Sequence, residues 1–166
     1  MLFRSRMKKD LSLKPFNLSQ SSLLISWLPN KHFARTWGGP RYNWPVTTEQ
    51  IKQYFAEQPV QPFWFCLNDK PIGYIELVEK PKNEISLCRI IIGDEKQRGK
   101  GYGKALIKLA IEKARVDFCA KSVELAVYMH NTNALNCYLG FGFEAYTHQN
   151  QDDSLNAMQR MRLFLS

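Results

Sequence analysis

The chain has 166 residues, 45% of them hydrophobic and 23% charged, with a formal net charge of +8. That length fits one domain, read as residues 1–166, and the composition is that of a folded soluble protein, which excludes a disordered chain. No uninterrupted apolar run exceeds five residues, which excludes a transmembrane helix, and the basic start lacks the apolar stretch of a secretion signal.

Residues 1–10 read as a frayed N-terminus carrying the cluster Arg4, Arg6, Lys8 and Lys9. A first strand is expected over 11–16, where apolar and polar residues alternate, and a short helix over 19–28 with several Ser caps. Residues 29–46 hold Trp37, Gly38, Gly39, Pro40, Tyr42, Trp44 and Pro45, a mixture of turn formers and aromatics that predicts an ordered loop. Thr47 and Gln50 stand at capping-box spacing for a helix to about residue 57. Strands over 62–67, 72–79 and 84–92 then form a hairpin extended into a meander. A helix over 104–116 shows a broad apolar face with Leu106, Ile107 and Ala110. Strand 122–129, helix 132–139, strand 143–146 and a final strand over 157–165 complete a mixed α/β (α+β) chain.

The four cysteines (Cys66, Cys88, Cys119 and Cys137) are widely spaced, with no C-x-x-C pair and no His cluster. That pattern gives no metal site and reads as free thiols in a reducing compartment, hence a cytoplasmic protein. Between Lys96 and Lys121 there are eight Lys or Arg against two acids, Glu112 and Asp117. The positive excess is therefore local, which fits a phosphorylated small ligand better than nucleic acid, an unlikely partner here.

That excess surrounds Arg98-Gly99-Lys100-Gly101-Tyr102-Gly103-Lys104, which follows the run Ile90-Ile91-Ile92 and opens the 104–116 helix. Strand, glycine-rich turn and helix start together make an anion cradle, because glycines admit close approach and the first helical amides point at the ligand. Neither the P-loop spacing nor G-x-G-x-x-G is present. A second motif, Asn131-x-x-Ala134-x-x-x-Tyr138-x-x-x-Gly142-Phe143, follows the strand Val123-Glu124-Leu125-Ala126-Val127.

Together the R-x-x-G-x-G of Arg98, Gly101 and Gly103 and this second motif resemble the GNAT superfamily of N-acetyltransferases. The resemblance implies a mostly antiparallel central sheet of six to seven strands, with splayed fourth and fifth strands and about four flanking helices. It implies acetyl-coenzyme A as cosubstrate, an amine acceptor, no metal and direct transfer in a ternary complex. By position, the pyrophosphate falls to Arg98, Gly99, Lys100, Gly101, Tyr102, Gly103 and Lys104, and the pantetheine arm to Ile91, Ile92 and Gly93. Asn131 is either a helix cap or a contact to the cofactor arm, and Tyr138 matches the family's general acid near the thioester sulfur. The base stays open among Glu76, Glu84, Asp94 and a water chain, while His130 beside a helix start reads as structural.

The opening segment is similar to the branches acetylating ribosomal-protein N-termini and to aminoglycoside 6′-N-acetyltransferases. A cationic aminoglycoside needs acidic groups in its cleft, for which Glu76, Glu79 and Glu84 are candidates. A catalytically silent acyl-coenzyme A sensor and a basic RNA- or ribosome-binding module are the alternatives, and a monomer or homodimer is expected.

Overall fold

Phe63 and Phe65 turn to one side of their strand and Trp64 and Cys66 to the other, and both sides are buried. Helices must therefore cover both faces of the sheet, which is why these strands read as nearly continuous apolar runs. The computed structural model describes residues 9–147 and 158–166. It contains strands β1 (Leu11–Pro15), β2 (Val60–Leu67), β3 (Lys70–Lys80), β4 (Glu84–Ile92), β5 (Ser122–Tyr128), β6 (Glu144–Tyr146) and β7 (Met158–Phe164). They form one sheet in the order β1-β2-β3-β4-β5-β7-β6, antiparallel throughout except between β4 and β5.

Helices α1 (Ser21–Ser26), α2 (Lys31–Gly38) and α3 (Thr48–Glu57) contribute to a core with Trp64, Tyr74 and Ile91 on one face. Helices α4 (Tyr102–Asp117) and α5 (Thr132–Phe141) cover the other face, where Leu106, Ile107 and Ala110 meet Phe65, Leu77, Leu125 and Met161. Gly142, in the left-handed region at φ 96°, ends α5, and the Phe143 amide closes back on the Tyr138 carbonyl at 3.1 Å.

Three details differ from the sequence reading. Residues 31–38 form α2 where an ordered loop was expected, because Asn30 caps the helix through the Phe33 amide at 2.8 Å. That makes five α-helices among the described residues, against about four expected. Thr47 caps α3 as expected, but the Gln50 side chain turns instead to Asn43 and Pro45, tying down the preceding loop. The frayed terminus expected over 1–10 falls mostly outside the described residues, and Asp10 is held by backbone and side chain of Asn68.

Candidate active site

Strands β4 and β5 touch over three residue pairs only, Glu84–Ser122, Ile85–Val123 and Ser86–Glu124. Beyond Ser86, β4 pairs with β3 alone, and beyond Glu124, β5 pairs with β7 alone. The strands fork there, leaving a backbone edge of each turned into the gap.

The fork has a local cause. Between the pairs Tyr74–Ile91 and Glu76–Cys88 the β3–β4 register shifts, so Arg89 and Ile90 stand against the single residue Ile75. This is a bulge, which bends and twists its strand, and Arg89 occupies the left-handed region at φ 50°. Such a conformation costs about 1–3 kcal/mol and persists only where its surroundings enforce it. The Arg89 guanidinium donates to Tyr54 Oη at 2.7 Å, Glu76 Oε1 at 2.9 Å and the Gly38 carbonyl at 3.2 Å. Its ring contacts are the faces of Tyr54 and Tyr42, 4.4 and 5.6 Å away. The Arg89 carbonyl accepts from Trp37 Nε1 at 2.9 Å. Burial pushes the Glu76 carboxyl up, opposed by Arg89 and by the Tyr74 hydroxyl that donates to it at 2.7 Å.

A cavity of about 580 Å³ occupies the gap. Phe33, Thr36 and Trp37 of α2 line it from one face of the sheet, and Ala134 and Tyr138 of α5 from the other, so it passes through the sheet at the fork. On its wall the Glu124 side chain, 3% exposed as a residue, accepts from Ser86 Oγ at 2.5 Å, Tyr146 Oη at 3.0 Å and Arg160 at 3.3 Å.

At the end of the gap nearer Ile92, the chain turns through Gly99 at φ 73° and Gly101 at φ 80° into α4. Gly101 caps the helix with no side chain to offer, and the first helical bond runs from the Ala105 amide to the Gly101 carbonyl at 3.2 Å. The preceding amides of the first turn thus have no partner within the helix. A Cβ on Gly103 would meet nothing within 4 Å. Exposed Arg98, Lys100 and Lys104 surround this helix start. An uncapped, positively ringed helix start with open space beside its glycine fits a pyrophosphate.

The profile of the Acetyltransferase (GNAT) family matches residues 27–143. The chain belongs to that family. This acetyltransferase is 25% identical, over 138 residues, to the aminoglycoside N(6′)-acetyltransferases type 1 of Klebsiella pneumoniae and Serratia marcescens, covering 74% of this chain and 68% of each relative. Among solved structures, aminoglycoside acetyltransferase AAC(6′)-Ib with coenzyme A superposes with a TM-score of 0.74 at 22% identity, covering 93% of this chain and 95% of that one. Spermidine N-acetyltransferase of Vibrio cholerae with coenzyme A and spermine gives 0.75 at 18% identity, with the same coverage. The expected sheet with its splayed central strands is the fold these neighbours share.

In the acetyltransferase, Tyr138 lines the cavity beside Phe143, ring centroids 5.8 Å apart, and burial, with Cys137 nearby, pushes its phenol up to about 12. Asn131 also lines the cavity, and its side chain caps α5 through the Ala134 amide at 3.2 Å, the first of its two readings. Of the three residues assigned to the pantetheine arm, Ile91 buries its side chain in the α1–α3 core, and the Gly93 amide, just past β4, bonds to the Ile72 carbonyl at 2.9 Å, facing β3. Strand alternation turns the backbone of Ile92 to the opposite edge, where its carbonyl accepts from Arg98 Nε at 3.0 Å. The Tyr102 ring is buried against Phe65, leaving only its backbone to the loop.

The carboxylates considered as base or acceptor anchor are engaged in contacts of their own. Glu76 is locked to Arg89, and Glu84 is held by Arg162 at 2.6 Å and by Ser122 at 2.7 Å. Asp94 caps a turn through the Lys96 amide at 3.1 Å, and neither Glu79 nor these three lines the cavity. His130 is exposed and stacked on Tyr128. Among the described residues, the carboxylate that does line the cavity is Glu124, which the sequence reading did not single out. Its signal was present: Val123, Leu125 and Val127 face the α4 core, so Glu124 interrupts the other face of a strand leading into the Asn131 motif.

Proposed function

We propose that this acetyltransferase transfers acetyl from acetyl-coenzyme A directly to a primary amine in a ternary complex formed in the forked gap. The observation that carries this is the cavity through the sheet, which joins the α5 phenol to an opposite mouth framed by α2. When bound, acetyl-coenzyme A supplies an activated acyl group on a thiolate leaving group. The amides of Gly101, Tyr102, Gly103 and Lys104, with Gly99 allowing the turn, cradle the pyrophosphate, and the Arg98 and Lys100 side chains add charge. The open edge of β4 at Ile92, between Ile91 and Gly93, holds the extended arm by strand-like hydrogen bonds, and Asn131 flanks it. Tyr138, kept protonated by burial, gives its proton to the departing sulfur, and the proton shed by the acetylated nitrogen returns through water to restore the phenol. The amine enters from the α2 side, because the α4 and α5 side belongs to the cofactor.

We read the enzyme as cytoplasmic and as a monomer or homodimer. Its cysteines are free, and among the described residues no helix is long and apolar enough to cross a membrane. The test is titration calorimetry with acetyl-coenzyme A followed by thiol release over an amine panel. Acetyl-coenzyme A binding with amine-dependent thiol release is expected, and binding without release on any amine would leave a silent sensor.

A further inference from the structure

We infer that the acceptor of this acetyltransferase is an amine that itself carries an anionic group, with Glu124 taking the ammonium and Arg160 and Lys80 the anion; this rests on the acetyl-transfer reading above.

The side chains on the acceptor face follow from strand alternation. In β3, β4, β5 and β7 the core residues packed against α4 are Ile75 and Leu77, Ile85 and Leu87, Val123 and Leu125, and Met161 and Leu163. The alternate positions therefore turn to the α2 side, and they are Lys80, Ser86, Glu124 and Arg160, all four on the cavity wall. The same face carries Glu84 and Arg162, already joined at 2.6 and 3.1 Å. On the cavity wall, among the described residues, three cations, Lys80, Arg89 and Arg160, stand with one carboxylate, Glu124, which Arg160 engages. Off the wall the same face carries Glu76 paired with Arg89, Glu84 paired with Arg162, and the exposed Glu144.

A polycationic acceptor meets like charge here. Among the described residues, no carboxylate on the wall is free of a cation, whereas Lys80 is exposed and without an ion pair. Arg160, with a side chain 38% exposed, donates to Glu124 and to the Tyr146 hydroxyl and keeps the rest of its fork for another oxygen acid. Glu124 is the complement. A carboxylate accepts about four hydrogen bonds, and Glu124 receives three, from Ser86, Tyr146 and Arg160. One position, on Oε1, is left for one ammonium. The face is built for one amine and one anion, the opposite of the acidic lining a polyamine or aminoglycoside requires.

The test uses the full chain with acetyl-coenzyme A and three acceptors of matched length: 5-aminopentanoate, pentylamine and 1,5-diaminopentane, with kanamycin and spermidine alongside. The expected order of kcat/KM is aminopentanoate, pentylamine, diamine, with roughly tenfold or more between first and last, the effect of one charge contact replaced by repulsion. Lys80→Glu and Arg160→Gln should each shrink that ratio, and the double variant should invert it, with acetyl-coenzyme A affinity unchanged. Preference for the diamine, spermidine or kanamycin, or an order indifferent to both substitutions, would overturn the inference while leaving acetyl transfer intact. No thiol release with any amine would defeat the acetyl-transfer reading, and this one with it.

Discussion

Ser86 and Glu124 are the last residues at which β4 and β5 face one another, and their side chains are joined by a 2.5 Å hydrogen bond across the crotch of the fork. Behind them the sheet is continuous, and ahead of them it is open to the cavity. The bond holds a buried carboxylate at the point where, on the proposed route, an amine coming from the α2 side first meets the forked edge.

What keeps the fork open is Arg89. Removing its side chain strands Glu76, whose own side chain is 1% exposed, and releases the restraint on a left-handed backbone. Arg89→Ala should cost roughly 3–5 kcal/mol, the usual effect of leaving a buried charge alone. Arg89→Lys, which keeps charge but loses the fork to Tyr54 and the Gly38 carbonyl, should cost less. Urea denaturation of the two variants measures this, and equal small losses would remove Arg89 from the structural role given to it.

Gly103 and Gly93 should respond in opposite ways to the same substitution. A Cβ on Gly103 meets nothing within 4 Å, and its backbone is not in the left-handed region. Gly103→Ala should therefore leave the melting temperature unchanged or slightly raised, since alanine gains up to about 1 kcal/mol over glycine in a helix. It should nonetheless weaken acetyl-coenzyme A binding, because the proposed cradle puts the pyrophosphate in that open space. On Gly93 a Cβ would fall 1.8 Å from the Trp27 ring, so Gly93→Ala should lower the melting temperature sharply. Calorimetric titration and thermal melts separate the effects, and a Gly103→Ala protein with native affinity would take that residue out of the cradle.

The Tyr138 phenol, raised to about 12 by burial, has a simple pH consequence. A raised folded-state value means that the protonated form is favoured in the fold, a contribution present below the ordinary tyrosine value of about 10 and lost as pH rises toward 12. The acid is consequently intact throughout the working range. The rate kcat/KM should climb as the amine loses its proton and should show no falling limb up to about pH 10. A falling limb near pH 8 or 9 that disappears in Tyr138→Phe would contradict the assignment.

The glycine turns and the ends of α5 were legible because their signals are local. Gly99 and Gly101 sit at left-handed positions, and Gly142 closes the helix that Asn131 opens. Nothing local announces that β7 inserts between β5 and β6, but the β2-β3-β4 meander was legible for a similar reason, since each turn lies next to the strands it joins. The acceptor side was not. Helix α2 ends in Trp37-Gly38-Gly39-Pro40, whose turn chemistry masks the cap that Asn30 provides at the other end. Arg89 reads in sequence as one charge within an apolar strand, because its partners Tyr54, Glu76 and Gly38 lie 35, 13 and 51 residues away. Glu124 is equally opaque, drawing its partners from β4, β6 and β7 at separations of 38, 22 and 36 residues.

The most direct test of acetyl transfer at the fork is paired, with mass spectrometry of the amine and coenzyme A thiol counted in the same reaction, for wild type and Tyr138→Phe. Wild type should release one thiol for each acetylated amine. The Phe variant should retain acetyl-coenzyme A affinity while kcat falls roughly 10²-fold, the worth of one general acid. Thiol released without acetylated amine, or a Tyr138→Phe enzyme as fast as wild type, would contradict the account.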